Sequence, residues 1–319
     1  MYLLISQVCL LSIMAASGPG AADVDARVWL QKMGIAVENI NYEGTFVHLI
    51  NGETAETLRI IHKVSDGKIA ERLISLDGSG REIIRNDDEV RCILQDHKSV
   101  VVEKRASSPL LSSLPEYQNE LDDLYRFKVV GRDRVARRDT RVIEVRPRDE
   151  YRYGHRLWLD TETAMPLRSA LINNSGAVVE QVLFTSIRIG EEISDDALQP
   201  RLSAEGYSWT TVEDQGSDTE NVESNWQAEE LPRGFKLTVA RTHGGTEKKP
   251  DQYVYTDGLA SVSVFVEQPQ ADAKPMSGLS TIGSANAYAT MIGGYQVTAV
   301  GEVPPSTVEM IGASLKRKK

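Results

Sequence analysis

The sequence predicts an α+β protein that is mostly antiparallel β. The expected architecture is a large curved sheet or open barrel with helices on one side, followed by a smaller α+β domain. Three observations predict it. From Tyr42 onward, short β-rich runs are separated by Asn51-Gly52, Asp66-Gly67 and Asp77-Gly78, dipeptides that supply the positive φ angles of tight hairpin turns. Helical signals are few: residues 24–40, a short segment ahead of Tyr125, and the segment after Pro304-Pro305. The 319 residues exceed the usual size of one domain.

In chain order, residues 2–16 (YLLISQVCLLSIMAA) form an apolar run followed by small residues. That pattern reads as a secretory signal peptide over residues 1–22, although no Lys or Arg precedes the run. Cleavage there removes Cys9 and leaves Cys92, in EVRCIL, as a small buried hydrophobe. Trp29, Met33, Val37 and Ile40 then share one helix face. In TLRIIHKV, Leu58, Ile60, His62 and Val64 alternate with Arg59 and Lys63, the pattern of a half-buried strand. Ser113 and Glu116 have capping-box spacing ahead of a short helix expected to run to Tyr125. Strands follow near 126–132, 140–146, 155–160, 166–173 and 178–189, with Asn174-Ser175-Gly176 as the last turn. Residues 205–230 hold eight acids and no Lys or Arg, an expected linker. Beyond it come FKLTVAR, QYVYTD, LASVSVFVE and two runs between Ser280 and Val300. A final helix carries Val308, Ile311 and Leu315 on one face and ends in a solvated basic tail, residues 316–319. The expected domains are thus 23–204 and 231–319, joined by 205–230.

Acids outnumber bases 46 to 36, for a net charge of −10. This argues against a nucleic-acid partner, which demands many cations. Two cysteines exclude a disulfide scaffold and an all-cysteine zinc site. Ser65-Asp66-Gly67-Lys68 matches S-x-x-K but falls on a hairpin turn and lacks its companion motifs. There is no P-loop, H-E-x-x-H or dinucleotide fingerprint. The five histidines show no metal-ligand spacing, although His48 and His62, on neighbouring strands, could meet. The expectation is a protein without catalytic residues, metal or cofactor. One charge feature stands out. Arg126, Lys128, Arg132, Arg134, Arg137, Arg138, Arg141, Arg146, Arg148, Arg152 and Arg156 are interleaved with only five acids. Guanidinium groups suit bidentate contact with phosphate or carboxylate. Arg132, Arg134, Arg137, Arg138 and Arg141 are therefore candidates for binding an acidic peptide or a phosphorylated glycolipid. A solvated hairpin laced with local ion pairs is the competing reading.

Several segments together resemble the RseB/MucB family of periplasmic sigma-factor (sigma-E/AlgU) regulators. They are WLQKM (29–33), NYEGTFVH (41–48), LRIIH (58–62), REIIR (81–85), LWLDTETAMPLRSALINNSGAVVEQ (157–181), LPRGF (231–235), YTDGLASVSVFVE (255–267) and VGEVPPSTV (300–308). The resemblance implies a LolA/LolB-like unclosed β-barrel around an apolar cavity, then a small α+β domain. It implies a periplasmic negative regulator that binds the periplasmic domain of a membrane anti-sigma factor (RseA/MucA-like). Such a regulator shields its partner from proteolysis and is released on sensing lipopolysaccharide or another lipid. Trp29, Met33, Val37, Tyr42 and Phe46 are then candidates for lining the lipid cavity, the first three from the helix stripe and the last two from one strand face. The alternative is a periplasmic lipid or lipoprotein carrier using the same cavity. Self-association into a homo-oligomer is compatible with either.

Overall fold

The computed structural model describes residues 25–104, 114–115, 117–212, 224–241, 250–269 and 275–318. The expected signal peptide, Cys9 and the Ser113/Glu116 capping box lie outside these residues. Helix α1 (Ala26–Asn39) starts at Asp25, whose carboxylate accepts the Arg27 N–H at 3.0 Å. Its buried face is Ala26, Leu30, Met33, Ala36 and Val37. The sequence stripe was therefore set slightly off: Trp29 sits on the flank, and Ile40 lies beyond the helix end.

Twelve strands follow: β1 (Tyr42–Ile50), β2 (Thr54–Ser65), β3 (Lys68–Ser75), β4 (Arg81–Arg85), β5 (Val90–Leu94), β6 (Ser99–Glu103), β7 (Tyr125–Val135), β8 (Arg138–Pro147), β9 (Gly154–Asp160), β10 (Pro166–Ile172), β11 (Val178–Ile189) and β12 (Ser208–Val212). They form one sheet in the order β12-β6-β5-β4-β3-β2-β1-β11-β10-β9-β8-β7. The terminal strands β12 and β7 do not pair with each other, so the sheet is unclosed. The meander expected from the Asn-Gly and Asp-Gly turns is present. Asn51-Gly52 and Asp66-Gly67 both have positive φ at each residue. Strand β12 lies inside the stretch expected to be linker and adds in parallel to β6. In place of a helix reaching Tyr125, a 3₁₀ turn spans Asn119–Asp123 and β7 begins at Tyr125.

The main core lies between α1 and one face of this sheet, with Leu30, Met33, Ile60, Ile143, Leu157 and Leu167 fully buried. At Gly44 the strands run close: a Cβ there would lie 2.7 Å from the Ser186 carbonyl and 2.8 Å from the Phe184 ring. Two of the three charged side chains of REIIR, Glu82 and Arg85, are also buried. Glu82 accepts Arg72 at 2.7 Å, and Arg85 reaches Glu71, which holds His62 at 2.7 Å. His62 stacks on Tyr42 and His48 lies opposite Glu56, so the two histidines do not meet.

The second unit contains β13 (Trp226–Ala228), β14 (Lys236–Arg241), β15 (Asp251–Thr256), β16 (Ser261–Glu267), β17 (Gly278–Ile282), β18 (Ala285–Ile292), β19 (Tyr295–Gly301), α2 (Pro305–Ala313) and β20 (Leu315–Arg317). Its main sheet runs β14-β15-β16-β19-β18-β17, and α2 packs on β18 and β19. The chain end departs from expectation. The helix stops at Ala313, and Leu315–Arg317 pairs with Trp226–Ala228. Leu315 is buried in the second core beside Trp226, and Lys316 contacts Glu229 at 2.5 Å. The basic tail thus begins as a strand, because burial of Leu315 outweighs continuation of the helix.

Truncating Leu30, fully buried, to Ala is expected to cost about 2–5 kcal/mol. Ile35→Ala, on the same helix but 63% exposed, should stay within about 0.5 kcal/mol of the parent. Urea unfolding of the two variants checks both.

Candidate functional site

The family-like motifs that carried no chemistry in the sequence converge where the two units meet. The loop between β8 and β9 supplies Arg152, whose side chain is fully buried. Its guanidinium lies 3.1 Å from Asp257 and 3.3 Å from Asp149, and donates to the Arg233 carbonyl at 2.6 Å. The rings of Tyr125 and Phe235 flank it, at 5.5 and 5.3 Å from centroid to guanidinium carbon, the geometry of cation–π contact. The Tyr125 hydroxyl donates to Asp257 at 2.9 Å. Burial, then the Asp257 charge, pushes the Tyr125 phenol well up, so it remains a donor.

Asp257 belongs to YTDGL. Its other oxygen accepts the N–H groups of Leu259 and Ala260, both at 2.8 Å, which folds the turn. Leu259 then packs against the first core and Ala260 against the second. LPRGF meets the same place. Gly234 has φ +88°, and a Cβ on it would lie 2.5 Å from Leu124, so glycine is required there. The motif VGEVPPSTV completes the seam. Thr307 donates to the Tyr151 carbonyl at 2.7 Å, and the Asn286 amide reaches both the Val303 carbonyl (2.8 Å) and the Tyr153 hydroxyl (3.1 Å). Farther along, Asn51 donates to the Gly283 carbonyl at 2.8 Å. There the His48 ring contacts Glu180 at 2.7 Å, and Ser284 donates to Glu302.

The arginine stretch divides into two kinds. Arg138 is held by Asp160 (2.6 Å) and Glu162 (3.0 Å), Arg146 and Arg156 by Glu144, and Arg148 by backbone carbonyls. Arg141 also has a partner. Arg126, Lys128, Arg132, Arg134 and Arg137 are exposed along β7 and its turn. Among the described residues, none of these five makes an ion pair; the Arg134 side chain bonds only the Arg137 carbonyl. The turn itself, Ala136-Arg137, has φ of 47° and 65°, a tight-turn geometry with no Asn or Gly to announce it.

Of the five residues proposed to line a cavity, Met33, Val37, Tyr42 and Phe46 are packed into the closed main core. Phe46 lies 5.4 Å from Phe184 between ring centres. Trp29 instead borders an open hollow of about 260 Å³, lined also by Ile35, Ala36, Ile40, Lys32 and the turn 161–164. Glu162 of that turn is one of the two carboxylates that hold Arg138, so the hollow and the start of β8 adjoin. Cys92 is half-buried, and burial pushes its thiol up, the setting of an unreactive side chain.

Sequence reasoning missed Arg152, Asp257 and the His48–Glu180–Glu302 group. The signal was present: motifs with turn residues and aromatics but no reaction chemistry are what a docking seam requires.

Family models described as the MucB/RseB N-terminal domain and the MucB/RseB C-terminal domain match residues 25–202 and 220–316. The chain is 35% identical over 312 residues to the sigma factor AlgU regulatory protein MucB of Pseudomonas aeruginosa, covering 96% of this chain and 94% of that protein. It is 29% identical over 294 residues to the sigma-E factor regulatory protein RseB of Escherichia coli, covering 90% and 89%. The solved complex of Pseudomonas aeruginosa MucA and MucB matches with a TM-score of 0.71 and 31% identity, over 93% of this chain and all of that one.

Removing one member of a buried pair leaves the other charged and unpaired. Asp257→Ala is expected to destabilise by about 3–5 kcal/mol, and adding Arg152→Met should restore part of the loss. A double-mutant cycle in urea measures the coupling.

Proposed function

The chain belongs to the MucB/RseB family, and we propose that it is a periplasmic negative regulator of an envelope-stress sigma factor. In this reading it binds the periplasmic region of a membrane anti-sigma factor and shields it from regulated proteolysis. The observation that carries the reading is the likeness, across both units, to MucB in its complex with MucA. A partner that contacts both units reads their relative placement, which the Arg152–Asp257 seam sets.

Release by lipopolysaccharide or another anionic lipid is the second half of the proposal. Support comes from Glu162, which lines the Trp29 hollow and also holds Arg138, the neighbour of the exposed turn residue Arg137. The hollow would take part of an acyl chain, at about 0.8 kcal/mol per buried methylene. Arg132, Arg134 and Arg137 would meet the phosphates, with Arg138 and Arg141 positioned behind them on β8. Deeper entry of the chain toward Met33, Val37, Tyr42 and Phe46 requires α1 to move from the sheet. A ligand shifts an equilibrium only by its differential affinity for the two states. The lipid must therefore favour the partner-free arrangement.

The test is a pull-down of the purified protein on the anti-sigma periplasmic segment, titrated with lipopolysaccharide. The complex is expected to form without lipid and to dissociate as lipid rises. Failure to form the complex would overturn the regulator reading, and a complex that survives saturating lipid would overturn release. A charge-removing triple variant, Arg132→Ala, Arg134→Ala and Arg137→Ala, should weaken binding to anionic vesicles roughly a hundredfold, at about 1 kcal/mol per basic residue. Added salt should reproduce the loss.

A further inference from the structure

A second point of the seam carries a different chemistry from Arg152. His48 on β1 and Glu180 on β11 belong to the first unit; Glu302, just past β19, and Ser284, in the β17–β18 turn, belong to the second. His48 contacts Glu180 at 2.7 Å and Ser284 donates to Glu302. Glu180 lies opposite Ile50, whose neighbour Asn51 donates to the Gly283 carbonyl beside Ser284, so the Glu180 and Glu302 side chains are brought to the same point of the seam. A hydrogen bond between two carboxyl groups needs a proton on one of them. Two bare carboxylates brought together, partly removed from water, repel each other.

We propose that His48, Glu180 and Glu302 form a proton-operated latch between the two units. With the proton in place, Glu302 donates to Glu180 and the units are held together here. When the proton leaves, two carboxylates face each other and this end of the seam loosens, while Arg152 still holds the other end. The inference goes beyond the partner-binding reading and does not depend on it.

The neighbouring charges agree on the direction. Burial, then the Glu180 contact, raises Glu302 to about 7 from an ordinary 4.5. Docked, the group therefore binds its proton more tightly than when the units separate. Its contribution to docking is complete below about 4.5, falls as pH rises through about 7, and is flat above that. His48 is raised, first by its bond to Glu180 on its own unit; that contact survives separation of the units, so His48 adds to the docking pH dependence only through the lesser attraction of Glu302, which is lost as pH rises. Glu180 is held below the ordinary range, first by His48 on its own unit, so it stays ionised whether or not the units are docked. Glu56, opposite His48 on β2, is tied to Arg81 at 2.6 Å. His155 on β9 is lowered by desolvation to about 4 and stays neutral across the working range. The net prediction is a latch that is closed in mild acid and loosened at alkaline pH.

The test is amide hydrogen exchange on the full chain without any partner, read as protection factors so that intrinsic pH dependence is removed. In the native protein, protection of the turns at 51–53 and 283–284 should fall about tenfold between about pH 5 and about pH 8. Glu302→Gln, which keeps a donor and removes the charge, should abolish that fall. Glu180→Gln removes the opposing charge from the other side and should abolish it as well, which covers failure of either variant to fold. In the native chain, the Glu302 carboxyl carbon followed by NMR should titrate near neutrality. A Glu302 midpoint at the ordinary carboxylate value, or native and Gln variants with the same pH dependence, would overturn the latch and leave the partner-binding reading untouched.

Discussion

A buried guanidinium decides how this protein is put together. Arg152 has no exposed side-chain surface, and an arginine cannot shed its charge by deprotonation. It must therefore be met by opposite charge and carbonyl oxygen wherever it is buried. Asp257 and the Arg233 carbonyl, which meet that need beside Asp149, come from the second unit. The sheet of one unit is thus incomplete as a polar structure without the other. The remaining seam follows from this placement. Asp257 folds the turn that sends Leu259 into the first core, and Gly234 lets the chain pass Leu124 without collision.

Such a seam orients more than it stabilises. Withdrawing two charges from water costs several kcal/mol per ion, and the attraction regained in the interior is of the same order. Pulling the units apart restores water to Arg152 and Asp257, which offsets much of the lost attraction. Breaking the pair while the units remain docked is the costly event. The result is a junction with one well-defined closed geometry and a modest barrier in free energy to opening. That combination fits the proposed function, in which a partner is held and then released, because a ligand of ordinary affinity would then tip the balance.

The strands were legible because hairpin chemistry is local. Asn51-Gly52 and Asp66-Gly67 announce their turns by residue type, and Leu58, Ile60 and His62 alternate with Arg59 and Lys63, although Ile61 is buried on the opposite face. Parts that depend on distant residues were not legible. Strand β12 carries nothing to say that it will pair in parallel with β6, more than a hundred residues earlier. Leu315 reads as the next rung of a helix until Trp226 and Ala228 offer a strand partner. The helix stripe was displaced because Trp29 is as apolar as Leu30, and only the tertiary fit selects between neighbouring arcs. Within the arginine run, exposure is invisible in one dimension: Arg152 and Arg137 look alike in the sequence, yet one is the hub of the seam and the other is on a surface turn.

The exposed part of that run has two physical readings that residue choice can separate. Strand β7 is a terminal strand of the large sheet, and free edges invite pairing with other chains. Charges along an edge prevent this, and lysine serves that purpose as well as arginine. Four of the five exposed cations on β7 and its turn are arginine: Arg126, Arg132, Arg134 and Arg137, against Lys128. Arginine differs in offering a planar fork that engages phosphate or carboxylate through two bonds. Edge protection accounts for the charge, whereas the proposed anion recognition would also account for the choice of guanidinium. The placement of Arg138 favours the second reading. Its partner Glu162 also lines the apolar hollow beside Trp29, which brings an exposed cationic edge and an apolar recess to one corner of the first unit. An amphiphile with an anionic head and an acyl tail presents the complementary pair.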